Sequence, residues 1–387
     1  PLFPVQQPLG NLPRFQVGFD PSVGMELPHL EEAALRGVMD TTRDTFASYV
    51  VKKHARLRQA DAASVRCAVR LAARELLASG TTSVLDSSQR GIAPRVLHEE
   101  PIRAWVHHEV HGGSPGEQER LLDELPGRLD ATPDASAALV GPYALFSLSP
   151  RNHRRLVQIA RERRRPWACH IAESAEELQA FSEQSGDLYS YITRHQPWPY
   201  RSNPTGSMYY AITNSAIPNN ALCFHCNYVS GHELKLLVAK QVAVVVCPRY
   251  TSLQQHKPFP MELALSRGLR VCAATESPAE TPSLSLFDEL YQLRQDFPRL
   301  PALQLISFVT KNAAGALGMG SKLGSLAPGK YADIIGVQFG HAPDQDILEE
   351  LLLEEPNVCF VMVNGEEVVV SREAGRPRTR RGSAATS

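Results

Sequence analysis

The chain has 387 residues, with 40 Lys and Arg against 41 Asp and Glu, a formal net charge of −1 and 43% hydrophobic residues. That length suits one α/β barrel with a small appended domain, and the interspersed, balanced charges exclude the basic face of a nucleic-acid binder or of a membrane-surface protein. No apolar run reaches eighteen residues and no signal sequence is read, so the expectation is a soluble protein of the cytoplasm.

Residues 1–24 are rich in Pro, Gly and Phe and offer at best one irregular strand around Phe15 to Phe19. In PHLEEAALRG, His29 follows a short apolar stretch that counts as the first strand. Thr45 to Arg58 and Ala62 to Ser79 are predicted helices, the second with Val65, Val69, Ala72, Leu76 and Leu77 on its apolar face and Gly80 as its stop. A regular alternation follows. Strands are predicted at Thr81 to Leu85, ending in Asp86, at Ile102 to Val110, among His107, His108 and His111, and at Ala138 to Leu145. Gly116 to Leu129 is a helix between them, and Arg151 to Arg164 is a strongly basic amphipathic helix whose charges mark a solvated outer face.

The apolar run Pro166 to Cys169 then leads into His170, with Glu173 three residues on. Residues 182–219 break the rhythm, crowding Trp198, Tyr200, Tyr209 and Tyr210 among Pro, Gly, Ser and Asn; such a stretch reads as a lid, a binding loop or a disordered insertion. Strands resume at Ala221 to His225, Val242 to Cys247 and Leu269 to Thr275, alternating with helices Gly231 to Lys240 and Met261 to Arg267. With the strand before His29 this makes eight strand-helix units, which argues for a closed α/β fold, a (β/α)8 TIM-like barrel, over an open sheet. Helices Ser285 to Gln295 and Ala302 to Leu317 follow. The chain then turns to strands Ala332 to Val337 and Val358 to Val363, and Asn364-Gly365 forms a type I′ turn into Glu367 to Val370, a small β appendage. The predicted division is an irregular segment at 1–24, the barrel at 25–318, the β domain at 319–371 and a disordered basic tail at 372–387.

Candidate chemistry lies at strand ends. His170 with Glu173, His225, and Glu276 after Thr275 each place a metal ligand or proton carrier where a barrel keeps its catalytic rim. One histidine beside an apolar run is ordinarily a core or loop residue; three such ends in series, each followed by a helix, point to a site. His107, His108 and His111 form a local cluster better read as rim or surface histidines. Asp86, Ser87 and Ser88 either touch substrate at the mouth or cap the next helix. The seven cysteines sit mostly in apolar runs, as buried free thiols of a reducing compartment do. Cys223 and Cys226 make a CxxC, but strand alternation sends the two thiols to opposite faces, against a redox or zinc role. No phosphate loop, GxSxG elbow or nucleic-acid motif occurs.

LGSLAPGKYADIIGV followed by FVMVNGEEVVV resembles the C-terminal signature of the amidohydrolase superfamily, and ASGTTSVLD, HIAESAEEL, HCNYVSGHELKLL, VVVCPR and ATESPAETPSLSLFDEL agree with it in order. Together they look like the deaminase and chlorohydrolase branch, and PHLEEAALRG is similar to a stretch of the aminodeoxyfutalosine deaminases; the likeness spans residues from about 24 to 370. The resemblance implies hydrolysis of a non-peptide C–N bond, the deamination of a small, purine-like heterocyclic amine. It also implies one divalent ion, zinc or iron, held by an HxH, a histidine after strand five and an aspartate after strand eight. Carried over by motif, His170 is a ligand, Glu173 the proton shuttle and His225 a substrate-polarising group. His29 is the second histidine of the HxH, Glu276 stands at the aspartate and doubles as a base, and Tyr143 and Arg249 are substrate-side contacts. Strand three contributes no ligand in the family, and relatives are often oligomeric, so a homo-oligomer is compatible with the resemblance.

The departures gather at the same place. Leu27 stands where the first histidine of HxH belongs, Glu276 where an aspartate belongs, Tyr143 at a histidine of the PHAPY stretch, and Tyr250-Thr251 where SN follows CPR. The N-terminal half of the usual β-sandwich reads as truncated. Leucine cannot bind a metal, and the extra methylene of Glu276 displaces its carboxylate. Two readings therefore stand: a metal-dependent hydrolase with a weakened, micromolar or poorer metal site, and a catalytically inactive amidohydrolase fold kept for binding or partner interaction.

Overall fold

The computed structural model describes residues 3–5, 16–19, 28–39, 44–134, 137–202, 204–339, 346–354 and 356–368. Leu27, the predicted first strand before it and the basic tail lie outside the described residues.

Two parallel sheets form the barrel wall. One contains β3 (Ser83–Ser88), β4 (Arg103–Val110) and β5 (Ala138–Pro142); the other contains β6 (Ala168–Ile171), β7 (Leu222–His225), β8 (Ala243–Val246) and β9 (Arg270–Ala273), each in sequential order. Parallel bridges Val140 to Trp167 and Ala144 to His170 join β5 to β6. These strands match the predicted ones, and between them run the predicted helices, including Pro115–Asp130, Pro150–Glu162, Gly231–Ala239 and Met261–Ser266. Ser114, Ser149, Ser174 and Ser230 start helices by accepting the backbone N–H of the third helical residue, each worth about 1 kcal/mol.

Barrel strands are buried on both faces, so their sequences are nearly continuous apolar runs. Alternation still divides them. Leu85, Leu139, Leu222, Phe224, Val245 and Cys272 pack together in one cluster, while Val84, Val140, Ile171, Cys223, Val244 and Val271 pack in the layer that includes the helices. Gly141 shows how close β5 and β6 approach: a Cβ there would lie 1.7 Å from the carbonyl oxygen of Ala168 and 2.8 Å from His107 Nε2.

Residues 182–219 are not an open loop. They contain helices Gly186–His195 and Ser207–Thr213, and Trp198, Tyr200 and Tyr210 pack around Phe181. The Tyr200 hydroxyl donates to the carbonyls of Leu145 and Leu148, tying the segment to the loop after β5. Aromatic packing here overrides a composition poor in helix formers and rich in breakers.

The small sheet is antiparallel, in the order β1 (Phe3–Val5), β2 (Gln16–Phe19), β10 (Ile334–Gln338), β11 (Asn357–Val363), β12 (Glu366–Glu367). Asn364 and Gly365 have φ of 54° and 84°, as a type I′ turn requires. The N-terminal segment, irregular in the sequence reading, supplies two strands of this sheet, with Gly18 opposite Gly336. Among the described residues no helix is long and apolar enough to cross a membrane.

Candidate active site

His170 is the penultimate residue of β6, His225 ends β7, Glu276 follows β9, and His29 leads into the short 3-10 turn Leu30–Leu35; all are buried. The chain turns there through residues in the left-handed region: His29 (φ 42°), Ala172 (51°), His225 (67°) and Cys226 (55°). Such backbone costs about 1 kcal/mol or more per residue and clusters where a side chain must be aimed. The turn also breaks strand alternation, so the Cys226 thiol meets that of Cys223 rather than facing away from it as the sequence reading had it. Both thiols are free and buried.

The predicted groups converge. His29 Nδ1 lies 3.4 Å from Glu276 Oε1, and His225 Nε2 lies 3.8 Å from both Glu276 Oε2 and Glu173 Oε2. Ring centroids are 5.2 Å apart for His29 and His170 and 5.3 Å for His170 and His225. Donor atoms of His170, His225 and Glu276 fall within 4.8 Å of one another. The tautomer of His170 follows from its partner: the carbonyl of Tyr143 can only accept, so Nδ1–H donates to it at 2.8 Å and Nε2 keeps a lone pair. That nitrogen and both nitrogens of His225 have no hydrogen-bond partner among the described residues. Buried unpartnered imidazole nitrogens beside a carboxylate are costly unless a ligand completes them, and an N/O donor set of this kind fits zinc or ferrous iron.

Protonation follows burial and neighbours. Burial drives His170 down to about 3 against the pull of Glu109, and drives His225 well below its ordinary value, helped by His256, His29 and Lys53. Both are neutral, the ligating form. Burial raises the Glu173 carboxyl well above the usual range; Tyr250 opposes this, while Glu276 and Glu177 add to it. For His29 burial acts downward but is outweighed by the charges of Glu109 and Glu32, with the hydrogen bond to Glu109 and the nearby Glu276 carboxylate adding to them, and the net shift is upward.

Tyr143 lies beside the cluster, its ring centroid 5.0 Å from that of His170. The Tyr250 hydroxyl donates to Glu173 Oε1 at 2.7 Å. Arg249 lies apart from them: its guanidinium is held by the Ser283 carbonyl at 3.2 Å and by Asp288 and Glu289 at 3.5 Å. The local histidines part company. His108 Nε2 pairs with Thr132 Oγ1 at 2.9 Å, His107 Nδ1 with Ser87 Oγ at 3.1 Å, and His111 stacks on His54 at 4.0 Å. Asp86 accepts the Leu30 N–H at 2.7 Å, fixing the backbone next to His29, and Ser88 Oγ donates to Glu31 at 2.7 Å.

Two groups escaped the sequence reading. Glu109, on β4, accepts the His29 Nε2–H at 3.1 Å from full burial. Its signal was a lone carboxylate inside an apolar strand. Lys53 is buried between Glu32 (3.2 Å) and Glu280 (3.0 Å), with its ammonium 5.9 Å from the centroid of the Tyr143 ring. It shares the buried face of helix Phe46–Gln59 with Tyr49, Val50 and Leu57, where a cation in an apolar stripe was the available cue. A small pocket of about 30 Å³ lies nearby, lined by Ala47, Val50, His111, Phe146, Leu188 and Ile192.

The family model for the amidohydrolase family matches residues 29–368. The chain belongs to the amidohydrolase family. It is 26% identical over 323 residues to a 5-methylthioadenosine/S-adenosylhomocysteine deaminase of Halothermothrix orenii, covering 79% of this chain and 70% of that protein. A 5'-deoxyadenosine deaminase of Methanothermobacter thermautotrophicus is 24% identical over 277 residues, 67% of this chain and 60% of that protein. Among solved structures, the aminofutalosine deaminase of Helicobacter pylori in complex with methylthio-coformycin superposes with a TM-score of 0.78 at 22% identity, covering 92% of this chain and 87% of the other. An adenosine deaminase from Xanthomonas campestris with bound zinc gives 0.76 at 19%, covering 92% and 81%. These likenesses to solved structures bear out the barrel fold with its appended antiparallel sheet.

Proposed function

We propose that this amidohydrolase is a metal-dependent aminohydrolase that removes an amino group from a nucleoside-like heterocyclic ring. The observation that carries the reading is the set of buried imidazole nitrogens without partners, facing the carboxylate of Glu276 and adjoined by the raised carboxyl of Glu173. His29 Nδ1, His170 Nε2, His225 and Glu276 would hold the ion. A divalent ion there supplies Lewis acidity toward water and ring. Burial pushes the Glu173 carboxyl up, Oε2 turns toward His225 and Tyr250 holds Oε1, a placement from which the carboxyl can pass a proton to the leaving amine. The names of the relatives, deaminases of adenosine-like compounds, support the same substrate class. With Leu27 in place of a donor, affinity for the ion is expected at micromolar or poorer.

The test is ammonia release from a panel of adenosine-like and other ring amines with added Zn2+, Fe2+ or Mn2+. Turnover that falls by about 10³-fold in Glu173→Gln is the expected result; no turnover with any amine or metal would sink the proposal. One observation favours the second reading, a catalytically silent barrel. Tyr143 and Tyr250 are each 3% exposed and fill the mouth, and the Tyr250 hydroxyl occupies Glu173. Under that reading Tyr250→Ala binds no more ring amine or metal than the natural chain.

A further inference from the structure

Glu109 has no part in the site as the motifs define it, yet its carboxylate reaches more of the histidines than any other acid described. Oε1 is 3.1 Å from His29 Nε2, 3.6 Å from His170 Nδ1 and 3.7 Å from His107 Nδ1, and the side chain is fully buried. His170 Nδ1 already donates to the Tyr143 carbonyl, and His107 Nδ1 is within reach of Ser87 Oγ. His29 is the one ring for which Glu109 is the hydrogen-bond acceptor. A carboxylate can only accept, so the proton of that bond sits on Nε2 and the remaining nitrogen, Nδ1, is the one that faces Glu276 at 3.4 Å.

Glu109 is paired with Gly141 at the C-terminal end of the β4–β5 ladder, fixed in the wall, while His29 hangs from a left-handed turn at the rim. The turn is held by Leu30 N–H on Asp86, which fixes the backbone but not the hydrogen bonding of the ring. The bond from Nε2 to Glu109 fixes that. We infer that Glu109 is the positioning residue of the metal site: it locks His29 with Nδ1 toward the ion and so makes a usable ligand of the one histidine left where Leu27 removes its neighbour. This rests on the metal reading above. Partners of this kind, behind a ligating histidine, typically change metal affinity 10- to 100-fold.

The experiment is cobalt titration of the purified full chain, read by the visible d–d bands and by equilibrium dialysis, with turnover left aside. Glu109→Met removes the acceptor at similar volume and is expected to weaken cobalt binding by about 10- to 100-fold. Glu109→Gln still accepts from Nε2–H and is expected to stay within about fivefold with unchanged band positions. Should Glu109→Met fail to fold, Glu109→Asp serves, since it keeps the charge but withdraws the oxygen from His29 and is expected to weaken binding by about tenfold. Glu109→Gln losing as much affinity as Glu109→Met, with shifted bands, overturns positioning in favour of direct ligation. Wild-type and all variants binding alike overturns the role of Glu109 alone. A wild-type chain that takes up no cobalt overturns the metal reading and this inference together.

Discussion

His29 and Glu31 stand two residues apart, both fully buried, and they show opposite ways of placing a polar group inside a barrel. Glu31 is satisfied on every side: it accepts Ser88 Oγ–H and the backbone N–H groups of Gln89, Arg90, Ile92 and Ala93, closing the start of helix Ala93–Glu99. His29 and its neighbours His170 and His225 keep nitrogens with no hydrogen-bond partner among the described residues, turned toward one another. A saturated carboxylate is a structural joint, whereas unsaturated imidazoles are a socket. The difference teaches that the capacity of this site lies in what the fold leaves unpaired, and not in how many charged residues it buries.

The largest expected effect tests the socket. His225→Asn, chosen because Asn tolerates the left-handed backbone there, should lower zinc affinity by at least 100-fold yet leave the metal-free unfolding free energy within about 1 kcal/mol. If zinc dialysis shows no change, His225 is no ligand and the socket loses a wall. Next comes the joint. Glu31→Ala strands several buried N–H groups and should cost about 3 to 4 kcal/mol in urea denaturation of the metal-free protein; a loss under 1 kcal/mol would erase the distinction between the two residues.

Glu289 sharpens the comparison, because it is a buried carboxyl only partly satisfied. Burial pushes it up to about 8, with Arg249 opposing. A folded pKa above the unfolded value near 4.5 means that the native state holds the proton longer. The stability it contributes is complete below pH 4.5 and is lost as pH rises to about 8. Between pH 5.5 and 8 the expected loss is on the order of 3 kcal/mol. Glu289→Gln, which cannot ionise, should flatten that slope in denaturation curves at the two pH values, and an unchanged slope would assign the effect elsewhere. The smallest effect belongs to Tyr250→Phe. Removing its bond to Glu173 should lower kcat by about three- to tenfold, near 1 kcal/mol, with KM little changed; a rise in kcat would show the hydroxyl to be an obstruction.

The parts of this molecule legible from sequence were those with short-range causes. Apolar runs ending in His170 and His225 and the Asn364-Gly365 turn each depend on neighbours in the chain, and each lies where the sequence pattern put it. Distant causes were opaque. Two helices in 182–219 exist because Phe181, Trp198 and Tyr200 find each other and the loop after β5. Arg249 turned toward Ser283 and Asp288 because the next helix offers carboxylates that no motif encodes. Glu109 and Lys53 were passed over for a related reason: each shows in the sequence only as a charge inside an apolar pattern, and the partner that gives it meaning sits on another element. The CxxC misled because alternation fails once His225 and Cys226 both turn left-handed.

The small antiparallel sheet has a temporal consequence. β2 hydrogen-bonds to β10, with Gln16 opposite Gln338, so an early-made strand must wait for nearly the whole barrel to be synthesised before its partner exists. Until then Gln16–Phe19 offers an open edge to any passing strand, while the barrel strands pair with sequential neighbours as they emerge. Closure of that sheet therefore cannot precede synthesis of β10, so the pairing that ties the N-terminal strands to the rest of the fold is one that only a nearly complete chain can make.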